Sequence, residues 1–159
     1  MVLVMWIRSM CDDMHEGIVL GYGSYERRKG LLNLMIRFDS YSTAVMYLTA
    51  ALTGKAYMGV GRNLAYTRGH YHDSGGFRSH YHIMSGDDDL MVNHTANSKN
   101  VSIRVNESAH TISTPKLKWS KWFNQKRRQL AVSNAFSIRS KVFLGGEHCA
   151  QRLFSVGVG

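Results

Sequence analysis

Asp87-Asp88-Asp89, between Ser85-Gly86 and Leu90, sets three carboxylates in succession. Like charges this close repel, so the run is costly unless a metal, a basic group or a proton compensates it. A carboxylate held near a partner that sets its pKa suits a general base taking a proton from a hydroxyl. The alternative is a solvated acidic turn at a helix start, where unpaired N–H groups and the helix dipole favour Asp. Further along, Gln125-Lys126-Arg127-Arg128 places Gln125 and Arg128 three apart. On a helix they share a face, one turn from Trp122. A guanidinium forks onto phosphate, an amide bridges to a sugar hydroxyl, and an aromatic ring stacks on a pyranose or a base. The same run also reads as a solvated basic face.

Two weaker constellations lie between them. Gly59-Val60-Gly61-Arg62-Asn63 loosely resembles a phosphate loop, but its spacing fits neither GxGxxG nor GxxxxGK[ST]. It reads equally as a tight turn where backbone closely approaches a ligand or a strand. His70/His72 and His80/His82, each pair split by a tyrosine, would point two imidazoles the same way from an extended strand, a geometry open to zinc. No cysteine or helical HExxH accompanies them, loop histidines are the alternative, and no metal ligand is assigned.

These residues need elements to hold them. Ile18-Val19-Leu20 predicts a short strand ahead of a Gly/Tyr turn over Gly21 to Tyr25. Leu31, Leu32, Leu34, Met35, Phe38 and Val45 recur at helical spacing. The apolar stretch Tyr41 to Thr53 stops at Gly54-Lys55, well below the roughly 20 residues of a membrane span, and predicts a buried or membrane-surface helix. Residues 61 to 115, rich in Gly, His, Asp and Asn, have the character of loops and strand ends that carry a site. Within them, Asp88 to Asn97 predicts a helix and Val101 to Val105 a half-buried strand. After Pro115, the helical spacing of Trp119, Trp122, Phe123 and Leu130 predicts a basic amphipathic helix. The tail ends in Gly157-Val158-Gly159 without a cap.

A chain of 159 residues, 44% hydrophobic with one proline, is one folding unit or part of one and excludes a proline-rich disordered chain. Twenty Lys+Arg against 11 Asp+Glu give a formal +9, which calls for an anionic partner: nucleic acid, an acidic membrane face or a nucleotide diphosphate. Cys11 and Cys149 are far apart and form no CxxC, so neither a disulfide framework nor a cysteine zinc site is indicated and a reducing compartment is the simplest reading. Met1 to Ile7 is apolar but shorter than a signal-peptide core. A nucleic-acid-binding helix built on Lys116, Lys118, Lys121, Lys126, Arg127 and Arg128 with Trp119, Trp122 and Phe123 is the competing reading. It leaves the acidic triplet unexplained, so nucleic acid is not the expected partner.

Taken in order, Gly59-Val-Gly61-Arg62-Asn63-Leu-Ala65-Tyr66, Gly75-Gly76-Phe77, Ser85-Gly86-Asp87-Asp88-Asp89-Leu90 and Gln125-Lys-Arg-Arg128 resemble the acceptor half of family 2 glycosyltransferases, in their membrane-anchored bacterial branch. The resemblance runs from about Glu16 to Glu147. It implies an α/β fold, the C-terminal part of a nucleotide-sugar glycosyltransferase domain with an incomplete mixed sheet, over residues 1 to 147, with a poorly defined tail from 148 to 159. It implies inverting transfer of a sugar from a nucleotide-sugar to a saccharide or lipid-linked acceptor at the cytoplasmic face of the inner membrane. Asp87 or Asp88 becomes the base: spacing to Leu90 favours Asp87, and reading Gly86-Asp87-Asp88 as a triplet favours Asp88. Arg62 and Asn63 shape the cleft, while Gln125 and Arg128 match the diphosphate-binding QxxRW. Gln129 stands where that motif often has tryptophan, and Trp122 is the candidate substitute. The family's Mg²⁺ or Mn²⁺ motif belongs upstream of these segments, and Asp12-Asp13 is not a DxD. The chain by itself is therefore expected to be inactive. A catalytically inactive membrane-surface remnant is the further alternative.

Overall fold

The computed structural model describes residues 2–12, 14, 17–76 and 87–133. It is a mixed α/β structure in the order α1 (Val2–Cys11), β1 (Ile18–Gly21), β2 (Gly23–Tyr25), α2 (Leu31–Leu52), a 3-10 turn (Gly61–Asn63) and β3 (Leu64–Tyr66). There follow α3 (Arg68–Asp73), α4 (Asp87–Thr95), β4 (Val101–Arg104), a second 3-10 turn (Glu107–Ala109), β5 (Thr111–Ser113) and α5 (Trp119–Ser133).

β1 lies at the centre of a three-stranded sheet, antiparallel to β3 and parallel to β4. Its unbroken apolar sequence fits that place, because both of its faces are covered. Ile18 and Leu20 pack with Ala44, Tyr47 and Ala50 of α2, Tyr57, and Leu90 and Val92 of α4. Val19 points the other way, against Met10 of α1 and Ala109, with Trp6 alongside. The predicted strands over 18–20 and 101–105 are thus β1 and β4, the predicted helices around 88–97 and 118–130 are α4 and α5, and the mixed sheet is present.

Four local expectations change. The Gly/Tyr stretch does not turn: after Tyr22 the chain resumes as β2, parallel to β5. The Tyr22 carbonyl accepts from Asn63 Nδ2 at 2.8 Å and from the Thr111 N–H at 3.3 Å, which holds the chain extended across the break. His70 and His72 sit on α3 and not on a strand, because the Thr67 hydroxyl accepts from the His70 N–H and caps a short helix. His80 and His82 lie outside the described residues. On α2 the bulky apolar residues that announced the helix face outward, whereas its buried face is Asn33, Ile36, Ala44, Tyr47 and Ala50. Small alanines allow close approach to β1, and the two polar residues are hydrogen-bonded: Tyr47 Oη donates to the Gly21 carbonyl at 2.6 Å, and Asn33 Nδ2 to the Glu26 carbonyl at 3.0 Å. Last, α5 is basic, but its Trp119 and Phe123 remain exposed, so it buries no continuous apolar stripe among the described residues.

One side chain ties these pieces together. Asn63 is fully buried; its Nδ2 donates to the carbonyls of Tyr22 and Ala109, at 2.8 and 2.7 Å, and its Oδ1 accepts from the Trp6 indole at 3.0 Å. Asn63→Ala would take their side-chain partner from the Ala109 carbonyl and the Trp6 indole N–H, and would leave the Tyr22 carbonyl with the Thr111 N–H alone. It should destabilise the fold by about 3–5 kcal/mol in urea denaturation, against under about 1 kcal/mol for the half-buried Ser40→Ala.

Candidate functional site

The acidic triplet opens α4, as its helix-start reading required, and Asp88 and Asp89 are half-buried there. Asp89 accepts from the Gly59 N–H; loss of solvation pushes its carboxyl up to about 7, with the Asp88 charge adding to the rise and the Gly59 N–H opposing it. Asp88 packs directly against Gly61, where a Cβ would overlap its carboxylate and make that side chain turn aside. The Asp88 charge also contributes, after burial, to raising the Tyr66 hydroxyl. Asp87 begins the helix, and its side chain lies outside the described set. Asp89, passed over as a base in the sequence, is the member of the triplet whose proton affinity is set near neutrality.

The residue after Gly61 points the other way. Arg62 Nη2 donates to the Gly23 carbonyl at 2.8 Å and to Ser40 Oγ at 3.2 Å, and its guanidinium lies 4.1 Å from the centre of the Tyr25 ring. Its Nη1 is buried without a hydrogen-bond partner among the described residues. Arg62 and Asp89 both act on the Tyr47 hydroxyl, which burial pushes up to about 12 and which Arg62 pulls back. Tyr47 therefore stays protonated and keeps its bond to Gly21. Asn63, whose amide is wholly engaged inside, positions the turn and presents no hydrogen-bonding group to a ligand.

Tyr25 leads to the cavity. A polar cleft of ≈ 340 Å³ is lined by Tyr25 of β2, Ser113 of β5, Thr114 and Lys116, and Gln125, Arg128 and Gln129 of α5. Gln125 Nε2 donates to Tyr25 Oη at 3.3 Å. The i, i+3 spacing thus does bring Gln125 and Arg128 to one cavity, and with Lys116 they make it cationic. Trp122 is elsewhere, packed with Trp119 and Phe123 at centroid separations of 5.7 and 5.2 Å. The aromatic wall is Tyr25 instead, which lies in the expected Gly/Tyr turn; its pairing with the distant Arg62 leaves no local signal. Asp88 is not among the residues lining this cleft, and it connects to it through Gly61, Arg62 and Tyr25.

His70 Nε2 is 2.9 Å from Thr95 Oγ1, and His72 packs edge-on against Tyr71, so the first histidine pair does not converge. Among the described residues no three His, Cys, Asp or Glu side chains form a metal-binding group. The divalent ion implied by the resemblance finds no fitting donor set there, and no step below is routed through it. Comparison with protein-family models, with curated proteins and with solved structures gave no match to this chain.

The Asp89 environment fixes a pH dependence. Its folded value near 7 is above the ordinary 3.8, so the stabilisation from the bound proton is complete below about pH 4 and is lost as pH rises through 7. Thermal melts should show wild type losing stability between about pH 4 and 7. Asn at position 89 keeps an acceptor for the Gly59 N–H without charge, so Asp89→Asn should flatten that slope and exceed wild type at about pH 8 by up to roughly 4 kcal/mol.

Proposed function

We propose that this chain is the acceptor-side part of a family 2 glycosyltransferase, transferring a sugar with inversion from a nucleotide-sugar to a saccharide or lipid-linked acceptor hydroxyl. The observation that carries the reading is the convergence of Gln125, Arg128, Lys116 and Tyr25 on one cationic cleft, connected through Arg62 and Gly61 to the acidic triplet. One guanidinium, one ammonium and an amide suit a diphosphate, and an aromatic wall suits a sugar or base face. A carboxylate beside the raised Asp89 suits proton removal from a hydroxyl.

On this reading a carboxylate of the triplet, Asp87 or Asp88 by motif, takes the proton of the acceptor hydroxyl. The freed oxygen pair attacks the anomeric carbon from the side opposite the diphosphate. The bond from that carbon to the diphosphate oxygen breaks, and its electron pair leaves with the nucleotide, stabilised by the fixed charges of Arg128 and Lys116. Such a reaction belongs to the cytoplasmic face of the inner membrane, where nucleotide-sugars are present; among the described residues no helix is long and apolar enough to cross a membrane. A nucleic-acid surface fits less well, since Lys126 is paired with Asp39 and Arg128 faces the cleft, which breaks up the row of basic residues on α5.

The test separates binding from chemistry. Titration with uridine diphosphate and with inorganic pyrophosphate should show at least tenfold weaker binding for Arg128→Ala. Arg128→Lys should also bind more weakly, because an ammonium cannot reproduce the two-pronged contact. In the enzyme that contains this chain, Asp87→Asn or Asp88→Asn should remove turnover and leave both affinities unchanged. Equal pyrophosphate affinity in wild type and Arg128→Ala, or full turnover in both Asn variants, would contradict the reading.

A further inference from the structure

Six large apolar residues of α2, Leu31, Leu34, Phe38, Tyr41, Val45 and Leu52, are 46% to 76% exposed. Their steps of three, four and seven residues place them in one line along a helix of 22 residues, roughly 33 Å long. A monomeric soluble surface rarely carries so continuous an apolar stripe without use. The opposite face of the same helix is already committed to the core through Ile36, Ala44, Tyr47 and Ala50.

The charges around the stripe identify what covers it. Arg27, Arg28 and Lys29 lead into α2, and Arg37 stands exposed one turn from Leu34 and from Tyr41. The acids in this region are neutralised: Glu26 pairs with Arg28 at 2.7 Å, and Asp39 with Lys126. Through that second pair α5 is fastened to α2, and α5 brings exposed Trp119, Lys121 and Phe123, with Lys118 just ahead of it. Apolar and aromatic side chains interleaved with unopposed cations, on a helix that lies across the surface, match an anionic lipid interface. A second copy would meet the stripe with the same positive charge, at +9 per chain. A long convex helix face also offers no concave pocket of the kind that anchors a protein partner's side chains.

We infer that the outer face of α2 is a docking surface for an anionic lipid bilayer, lying in the interface without crossing it. This deepens the proposed function by naming the surface that would hold the cleft near a lipid-linked acceptor. It is read without donor or acceptor, so its failure and a failure of sugar transfer are separate results.

Vesicle co-sedimentation tests it, using phosphatidylcholine with and without phosphatidylglycerol and the wild-type chain alongside two double variants. Wild type should bind the phosphatidylglycerol vesicles, bind phosphatidylcholine alone at least about tenfold more weakly, and release in high salt. Leu34→Ser with Phe38→Ser should lower vesicle affinity at least about tenfold, with circular dichroism unchanged because both side chains already face outward. Arg27→Glu with Lys29→Glu should remove the preference for the anionic vesicles. Absence of vesicle binding, undiminished binding by the Leu34/Phe38 variant, or lipid-free self-association that this variant abolishes would each overturn the proposal; the last would assign the stripe to a second copy.

Discussion

Much of this structure depends on one amide. Among the described residues, Asn63 is the buried side chain that bonds to three separate segments, with Tyr22 at the break between β1 and β2, Ala109 before β5, and Trp6 of α1. Those bonds satisfy carbonyls that the sheet ladder leaves free where β1 and β2 part, and a buried carbonyl without a partner is costly. They also fix the orientation of the two residues before it. Gly61 is held against Asp88, and Arg62 is held over Tyr25. A single 3-10 turn thereby couples the acidic start of α4 to the ring that walls the cationic cleft.

The electrostatics follow from that geometry. The close packing of α4 against the turn removes Asp89 from water beside Asp88, and the carboxyl responds by binding its proton more tightly. Arg62 does not neutralise the triplet through a direct pair; its guanidinium is spent on Gly23, Ser40 and the Tyr25 face. Negative and positive groups therefore remain apart, with the acidic start of α4 on one side of the turn and Arg128 and Lys116 on the other. The proposed displacement at carbon would need that separation, since a base and a leaving-group clamp act on opposite sides of the reacting centre.

Local periodicity made much of the fold legible. The apolar run of β1, the alternation of β4 and the helical spacing in α2, α4 and α5 all come from interactions within a few residues. The pairing of Gln125 with Arg128 on one cavity was legible for the same reason, three residues being one helical step. What stayed hidden depends on contacts far along the chain. Tyr25 becomes a cavity wall only because Arg62 and Gln125, 37 and 100 residues away, close on it. The Asp89 carboxyl is raised only once folding brings it out of water against the Gly59 N–H. Asn63, chosen as a ligand contact from its motif, turned inward because Tyr22, Ala109 and Trp6 claimed its amide. On α2 the period was right and the face was reversed, since close approach to β1 selects alanine and leaves the larger residues outside.

The central claim is that the triplet and the cleft are one site joined by this turn. Carbon-detected nuclear magnetic resonance of the aspartate carboxyls, titrated with pH in the presence and absence of inorganic pyrophosphate, addresses it most directly. If pyrophosphate enters the Gln125–Arg128 cleft of the same site, its negative charge should raise the Asp89 midpoint above its value of about 7. An Asp89 titration that is unchanged at saturating pyrophosphate would show that acid and cleft are electrostatically separate, and would contradict the account.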